Sequence, residues 1–176
     1  MSHTLLIGFK NVGKSSVARE LAKVLGCDFV DTDRVLEEHF AETSGEKLSC
    51  REIMRLEGEE KFRALEHEAL RATLARPESV VVAVGGGAPL QKNNEELLRD
   101  HTIVHVTAPK GAVYERIMMN GWPAFFPRDV EPYVAFTRIW EERLPQYERL
   151  AQITVNHGET LSKAVDELII NMAKKV

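Results

Sequence analysis

The amino-acid sequence predicts an α/β fold, a three-layer sandwich in which helices cover both faces of a five-stranded parallel sheet. Short apolar runs alternate with longer stretches whose apolar residues recur at a spacing of three and four. Strands that are separated by helical stretches cannot pair as hairpins, so parallel pairing and burial of both sheet faces are expected. A chain of 176 residues with 44% hydrophobic composition suits one globular domain.

The apolar runs and the periodic stretches give the expected elements in order. The predicted strands are Leu5–Ile7, Phe29–Val30, Val80–Val84, Ile103–Val106 and Ile153–Val155. The predicted helices are Ser15–Leu25, Arg51–Ala75, Ala112–Met119, Pro132–Leu150 and Thr160–Ala173. Ligands of such a sheet bind beyond the carboxyl ends of its strands.

One segment interrupts the alternation of strands and helices. Residues 120–131 contain Pro123 and Pro127 and are followed by Pro132, which excludes a single continuous helix. We expect a surface loop here, and we interpret residues 119–131 as a mobile lid. Its three aromatic residues either pack onto the domain or cover an apolar or stacked ligand.

Charge and cysteine usage exclude several classes of partner. The net charge is −4 and the pI is near 5.9, with basic and acidic residues interspersed, so nucleic acid is not expected to bind. The apolar run at Leu5 is too short for a signal segment or a membrane span. Cys27 and Cys50 have no spacing typical of a zinc site or a disulfide framework. We expect a cytoplasmic, monomeric protein with a small-molecule partner.

The segment from Gly8 to Ser15 carries the strongest motif. It reads GFKNVGKS and matches G-x-x-x-x-G-K-[ST], between the first predicted strand and the first predicted helix. Backbone N–H groups of such a loop surround phosphate oxygens at a helix N-terminus. Lys14 would neutralise the β- and γ-phosphates and the Ser15 hydroxyl would bind Mg²⁺. The alternative is a chance glycine-rich turn, and Lys10 is either a solvated charge or a second cation near the phosphates.

The motif therefore predicts a bound nucleoside triphosphate with Mg²⁺, and by itself it does not separate a kinase from a GTPase or a motor ATPase. The predicted phosphate-binding residues are Gly8, Asn11, Val12, Gly13, Lys14, Ser15 and Ser16.

Two carboxylates follow the second predicted strand. Asp31 and Asp33 are separated by Thr32, and alternate residues of an extended segment point the same way. One carboxylate could hold Mg²⁺ through water while the other accepts a proton from a substrate hydroxyl. The alternative interpretation is a helix N-cap aspartate beside a solvated one.

Three further motifs are weak when each is taken alone. Gly85, Gly86 and Gly87 follow the third strand, either to let backbone approach a ligand closely or as a flexible turn. The sequence KFRALE places Arg63 in a charged helix, and the sequence RLPQY places Arg143 near the end of another. By itself Arg143 would be an ordinary surface charge.

Taken in order, these motifs resemble the shikimate kinase family over nearly the whole chain. The matching segments are the phosphate loop, D-x-D in FVDTD, F-R-x-x-E in KFRALE, G-G-G in VAVGGGAPL and R-x-P-x-Y in RLPQY. The resemblance implies a nucleoside-monophosphate-kinase type of fold and Mg²⁺-dependent transfer of phosphate from ATP to the shikimate 3-hydroxyl, in aromatic amino-acid biosynthesis. It also implies that Arg63 and Arg143 hold the substrate carboxylate, as two guanidinium forks can.

The same resemblance assigns the remaining roles. Asp33 would bind the substrate hydroxyl and act as base, and Asp31 would support Mg²⁺. The glycines 85–87 would line the acceptor pocket, and Arg116 would contact adenine.

The sequence departs from this family in the lid. Trp122 occupies the position of an arginine that in the family reaches the transferred phosphate, and a neutral indole cannot supply that charge. Asn11 replaces a usual glycine, a milder change because asparagine tolerates unusual backbone angles. Two alternatives stay open, a related kinase for another small hydroxy acid and a catalytically weak nucleotide-binding paralogue that regulates a partner.

Overall fold

The computed structural model describes residues 1–119, 121–158 and 160–174 and contains one five-stranded sheet. The strands are β1 Thr4–Ile7, β2 Phe29–Asp31, β3 Val81–Ala83, β4 Thr102–Thr107 and β5 Ile153–Asn156. Their order across the sheet is β2-β3-β1-β4-β5, and every neighbouring pair is parallel. The predicted α/β fold with a five-stranded parallel sheet is confirmed.

Helices separate and follow these strands. They are α1 Lys14–Leu25, α2 Thr32–Ser44, α3 Cys50–Leu74, α4 Lys92–Leu98, α5 Lys110–Met119, α6 Pro132–Leu150 and α7 Leu161–Ala173, with a 3-10 turn at Ala88–Leu90. Helices α1 and α7 pack against each other, and α1 also packs on β3 and α7 on β5. Helix α6 packs on β4. Helix α6 has the predicted bounds, although Pro145 lies inside it.

Burial along the strands explains why the sheet accepts helices on both faces. Consecutive residues of a strand point to opposite faces, and Leu5, Leu6 and Ile7 of central β1 are all fully buried. In the edge strand β5, buried Ile153 and Val155 alternate with exposed residues. The core therefore lies on both sides of the central strands.

Three elements differ from the prediction. Helices α2 and α4 were not expected, since their apolar residues are few and their sequences strongly polar. The single helix predicted over 51–75 is broken at Gly58, whose φ of 80° and ψ of 168° are not helical. Helices α2 and α3 pack together through a separate apolar cluster, which consists of Leu36, Phe40, Ile53, Phe62 and Ala69.

The segment between α5 and α6 has no helix over residues 121–131, as its prolines predicted. Asn120, the first residue of the predicted loop, lies outside the described residues. Phe126 is buried in the core, and Trp122 and Phe125 pack partly against it. The aromatic residues therefore hold the segment against the domain. Within the described ranges, no helix is long and apolar enough to cross a membrane.

Candidate active site

A cavity of about 650 Å³ lies beyond the carboxyl ends of β1, β2, β3 and β5. It brings together most of the predicted site residues. Those that line it are Asn11, Gly13, Lys14, Ser15, Ser16, Asp31, Asp33, Arg63, Gly86, Gly87, Arg116 and Arg143. Gly8, Val12 and Gly85 were also predicted, but they stand behind the cavity surface. Val12 is buried, and the backbone at Gly8 and Gly85 is covered by neighbouring atoms.

The backbone of the phosphate loop takes the shape that its sequence predicts. Asn11 has a φ of 63°, so it adopts the left-handed conformation that asparagine tolerates. Gly13 has a φ of 102°, and a side chain there would clash with the ring of His157. Helix α1 then begins at Lys14, which leaves its first N–H groups directed at the cavity end.

Lys14 and Ser15 are held at the start of α1 by hydrogen bonds. The Lys14 ammonium donates to the carbonyl oxygens of Gly8 and Phe9 at 3.0 and 2.9 Å. Burial lowers the pKa of Lys14 from 10.5 to about 8, although Asp33 and Asp31 act in the opposite direction. The Ser15 hydroxyl donates to Asp31 Oδ2 at 2.7 Å. A hydroxyl and a carboxylate therefore lie side by side at the phosphate loop.

Asp31 and Asp33 both face this cavity, but for a different reason from the one predicted. Only Asp31 is extended, and it caps α2 by accepting the N–H of Asp33 at 3.1 Å. Asp33 belongs to the first turn of α2, so the extended-segment argument was wrong. The N-cap interpretation was right for Asp31, yet Asp33 is not simply solvated. Burial, and then the charge of Asp31, raises the pKa of Asp33.

The three glycines after β3 leave room for charged side chains. A Cβ at Gly85 would lie 2.5 Å from Asp33 Oδ1, and one at Gly87 would clash with the Arg63 guanidinium. The Tyr147 hydroxyl donates to the Gly86 carbonyl at 2.6 Å. Burial raises the pKa of Tyr147 to about 12, so this donor keeps its proton.

Arg63 and Arg143 approach the cavity from different helices. Arg63 Nη1 pairs with Glu66 at 2.8 Å, and Glu66 is only 4% exposed. Burial raises the pKa of Glu66, while Arg63 opposes that shift. The Arg143 guanidinium lies 5.7 Å from the ring centre of Phe9 and 5.6 Å from that of Phe125. Two aromatic rings therefore flank Arg143, and its charge also acts on Glu66 and on the Tyr147 hydroxyl.

Arg116 and His157 flank the phosphate loop at the other end of the cavity. Arg116 Nη1 donates to the Asn11 carbonyl at 3.4 Å, and Asn11 Nδ2 donates to the Arg116 carbonyl at 3.2 Å. His157 Nδ1 lies 3.0 Å from the Val12 carbonyl, so this nitrogen must carry the proton. His157 was missed, although its place directly after β5 satisfies the carboxyl-end rule.

Residues from α3 complete the wall opposite the phosphate loop. Cys50, Arg51, Met54 and Glu66 line the cavity and were not predicted to do so. The Cys50 thiol donates to the Asp33 carbonyl at 3.4 Å, and burial raises its pKa strongly. Only Glu66 had a usable signal, because it lies one helical turn after Arg63.

The segment 121–131 closes one side of the cavity. Pro123, Ala124 and Phe125 line it. Trp122 Nε1 donates to the Phe126 carbonyl at 3.3 Å, and the Arg128 guanidinium lies 5.3 Å from the centre of the Trp122 ring. Lys10, considered above as a second cation near the phosphates, lines the cavity itself.

Comparison with known proteins identifies the family. The family model described as Shikimate kinase matches residues 10–174. The chain is 31% identical to a shikimate kinase of Rhodococcus jostii over 173 residues, which cover 97% of each protein. It is 33% identical to a shikimate kinase of Thermobifida fusca over 165 residues, which cover 94% of this chain and 91% of the relative.

A solved structure has the same fold. The shikimate kinase from Acinetobacter baumannii in complex with shikimate is 25% identical and superposes with a TM-score of 0.82, covering 99% of this chain and 94% of that one. With the phosphate loop, the paired aspartates and this agreement over the whole length, the chain belongs to the shikimate kinase family, a family of ATP-dependent phosphotransferases.

Proposed function

We propose that this protein is a monomeric cytoplasmic enzyme that transfers the γ-phosphoryl group of ATP to the 3-hydroxyl of shikimate. One observation carries the proposal. A single cavity is lined by the phosphate loop, by Asp33 and by the side chains of Arg63 and Arg143. The solved relative from Acinetobacter baumannii that contains shikimate supports the choice of acceptor.

The phosphate end would bind ATP and Mg²⁺. Mg²⁺ prefers oxygen ligands, and it is commonly held by one or two protein groups together with substrate phosphates. The Ser15 hydroxyl and the Asp31 carboxylate, which already share a hydrogen bond, have this chemistry. When bound, Mg²⁺ neutralises phosphate charge. Lys14 supplies a further positive charge at the start of α1, and Arg116 contacts adenine.

The acceptor end would orient shikimate and remove its proton. Arg63 and Arg143 hold the carboxylate of the substrate, while Gly86 and Gly87 form the floor beneath it. Asp33 accepts the proton of the attacking hydroxyl, and its raised pKa suits a group that must take up a proton in the transition state. Glu66 keeps Arg63 in place through their 2.8 Å ion pair.

The chain would form a single kinase domain in which residues 119–131 act as a lid. We further propose that this lid is atypical, because Trp122 stands where the family has an arginine that reaches the transferred phosphate. The contact of Phe125 with Arg143 supports a lid that closes above the acceptor carboxylate. The stacking of Arg128 on Trp122 supplies a nearby cation in a different place.

A coupled assay with shikimate and MgATP tests the proposal. Shikimate should be turned over, and quinate and gluconate should be turned over far less. Asp33→Asn should remove turnover while a thermal-shift assay still detects shikimate and an ATP analogue, because binding to the native state raises its stability. Equal turnover of gluconate would contradict the choice of acceptor. Shikimate binding without turnover would instead favour a nucleotide-binding paralogue.

A further inference from the structure

Arg51 links the acceptor end of the cavity to the lid. It is the second residue of α3, it is half-buried, and its side chain lines the cavity. Its Nη2 atom donates a hydrogen bond to the backbone carbonyl of Trp122. Gly121 lies against the same guanidinium, because a Cβ built on Gly121 would be 3.8 Å from both terminal nitrogens. No sequence motif had selected this arginine.

The first turn of α3, which carries the Arg51 side chain, is held in place by several hydrogen bonds. Ser49 caps the helix, and the carboxylate of Glu52 accepts the Ser49 N–H at 2.8 Å in a complete capping box. The next residue, Cys50, donates its N–H to Glu37 of α2 at 2.9 Å and its thiol to the carbonyl of Asp33. The helix turn that carries Arg51 is therefore bound directly to the backbone of the proposed base.

We infer that Arg51 is a positioning residue that holds the lid closed over the phosphates. Its hydrogen bond to the Trp122 carbonyl is called the clasp below. The inference rests on the proposed function, because it treats 121–131 as a lid. A guanidinium donor gives a stronger hydrogen bond than a neutral donor does. The acceptor is the backbone carbonyl of Trp122, so the clasp does not depend on which side chain occupies position 122. It ties lid closure to the α2–α3 unit that carries Asp33 and Arg63.

A closed lid excludes water and completes the site, so the loss of the clasp lowers the rate of phosphoryl transfer more than it weakens binding. In Arg51→Ala we expect kcat to fall at least tenfold while the KM for shikimate changes less than threefold. Arg51→Gln, which keeps a neutral donor, should recover part of the loss. Arg55→Ala is the matched control, because Arg55 is exposed one turn further along α3 and does not line the cavity.

Hydrogen–deuterium exchange tests the clasp without relying on turnover. Amides of residues 121–131 should exchange at least tenfold faster in Arg51→Ala than in wild type or Arg55→Ala, while amides of α6 stay unchanged. Unchanged lid exchange would overturn the inference, and so would faster exchange with an unaltered kcat. If the wild type fails to phosphorylate shikimate, the proposed function is wrong, and the exchange comparison still decides whether Arg51 holds this segment.

Discussion

The two ends of the cavity are built in different ways. At the phosphate end, the contiguous residues from Gly8 to Ser15 form the site largely with backbone groups and one lysine. At the acceptor end, side chains from α2, α3 and α6 and the backbone of the loop after β3 converge across more than a hundred residues of sequence. A contiguous backbone site tolerates exchange of its filler residues, such as Asn11. A site assembled from distant side chains depends on each neighbour that holds them.

The largest effect should come from the phosphate end. Lys14→Met removes the half-buried cation proposed to neutralise the phosphates, so we expect kcat to fall by about 10²–10³-fold or more. The fold should persist, since the methionine fills similar volume and the loop backbone keeps its shape. Lys23→Met is the control, because Lys23 is an exposed residue of the same helix. Steady-state kinetics together with melting temperatures measure both, and near-wild-type turnover in Lys14→Met would refute the mechanism.

The acceptor end should respond in substrate affinity rather than nucleotide affinity. Arg63→Ala and Arg143→Ala should each raise the KM for shikimate by the equivalent of about 2–5 kcal/mol, with little change in the KM for ATP. Arg149→Ala, an exposed change on the same helix as Arg143, is the control. If the KM for ATP moves instead, these two arginines do not hold the acceptor.

The two arginines should differ in their effect on stability. Arg63→Ala leaves the buried carboxylate of Glu66 without its ion-pair partner. Arg143→Ala leaves no buried group without a partner, because the Tyr147 hydroxyl keeps its hydrogen bond to the Gly86 carbonyl and Glu66 keeps Arg63. Denaturant unfolding should therefore show a larger loss for Arg63→Ala. The double variant that combines Arg63→Ala with Glu66→Gln should recover part of this loss of stability.

His105 of β4 is buried and stacks on Tyr147, with ring centres 5.6 Å apart. Burial, and then Lys14, lowers the pKa of His105 from 6.5 to about 4. Between these values the unfolded chain binds a proton that the folded chain does not. The contribution of His105 to the free energy of unfolding is therefore fully present above pH 6.5. This contribution is lost as the pH falls towards 4, and the loss is at most about 3 kcal/mol.

His105→Phe keeps an aromatic ring beside Tyr147 and removes the titration. The free energy of unfolding of this variant should depend less on pH between 6.5 and 4 than that of wild type. His39→Gln provides the control for an exposed histidine. Identical pH profiles for wild type and His105→Phe would show that His105 does not titrate as its burial implies.

The smallest effect concerns Lys10 of the phosphate loop and Arg128 of the lid, the two cations that could replace the lid arginine. Lys10→Ala should lower kcat about tenfold, or about 1.4 kcal/mol, because Lys10 faces the cavity. Arg128→Ala should lower it less, since Arg128 acts only through the ring of Trp122. Trp122→Arg should raise kcat if the wild-type site lacks positive charge near the transferred phosphate. If neither alanine change slows turnover and the arginine gives no gain, the lid needs no replacement cation.

The sheet could be predicted because each strand is marked by a pattern of residues within its own short segment of the sequence. Buried strands such as Val80–Val84 form continuous apolar runs, and long stretches between them fix parallel crossovers. The break at Gly58 and the short helix α4 were missed because helix formation there depends on tertiary contacts that no short window contains. Helix α2 did have a signal in Asp31 as N-cap and Gly45 at its end, but the two carboxylates were interpreted as part of an extended segment.

Two parts of the site could be predicted: the part formed by the backbone of the phosphate loop, and the part indicated by the order of motifs along the chain. The phosphate loop follows from its own residues, and Arg143 was selected only through resemblance to a family. His157, Cys50 and Arg51 face the cavity because of how α3 and the loop after β5 are placed. His157 had a signal in its place directly after β5, whereas Cys50 and Arg51 had none, so only the packed structure distinguishes these two.

Cys50 has a consequence for the chemical reactivity of the protein. Cys50 lines the candidate active site, where an accessible thiol would invite alkylation or oxidation. The thiolate is the reactive form, and burial next to the carboxylates of Asp33 and Glu37 raises the pKa of Cys50 far above neutrality. The thiol instead stays protonated and donates to the Asp33 carbonyl. An inhibitor that relies on covalent capture at Cys50 would therefore meet an unreactive sulfur, although it lies inside the binding site.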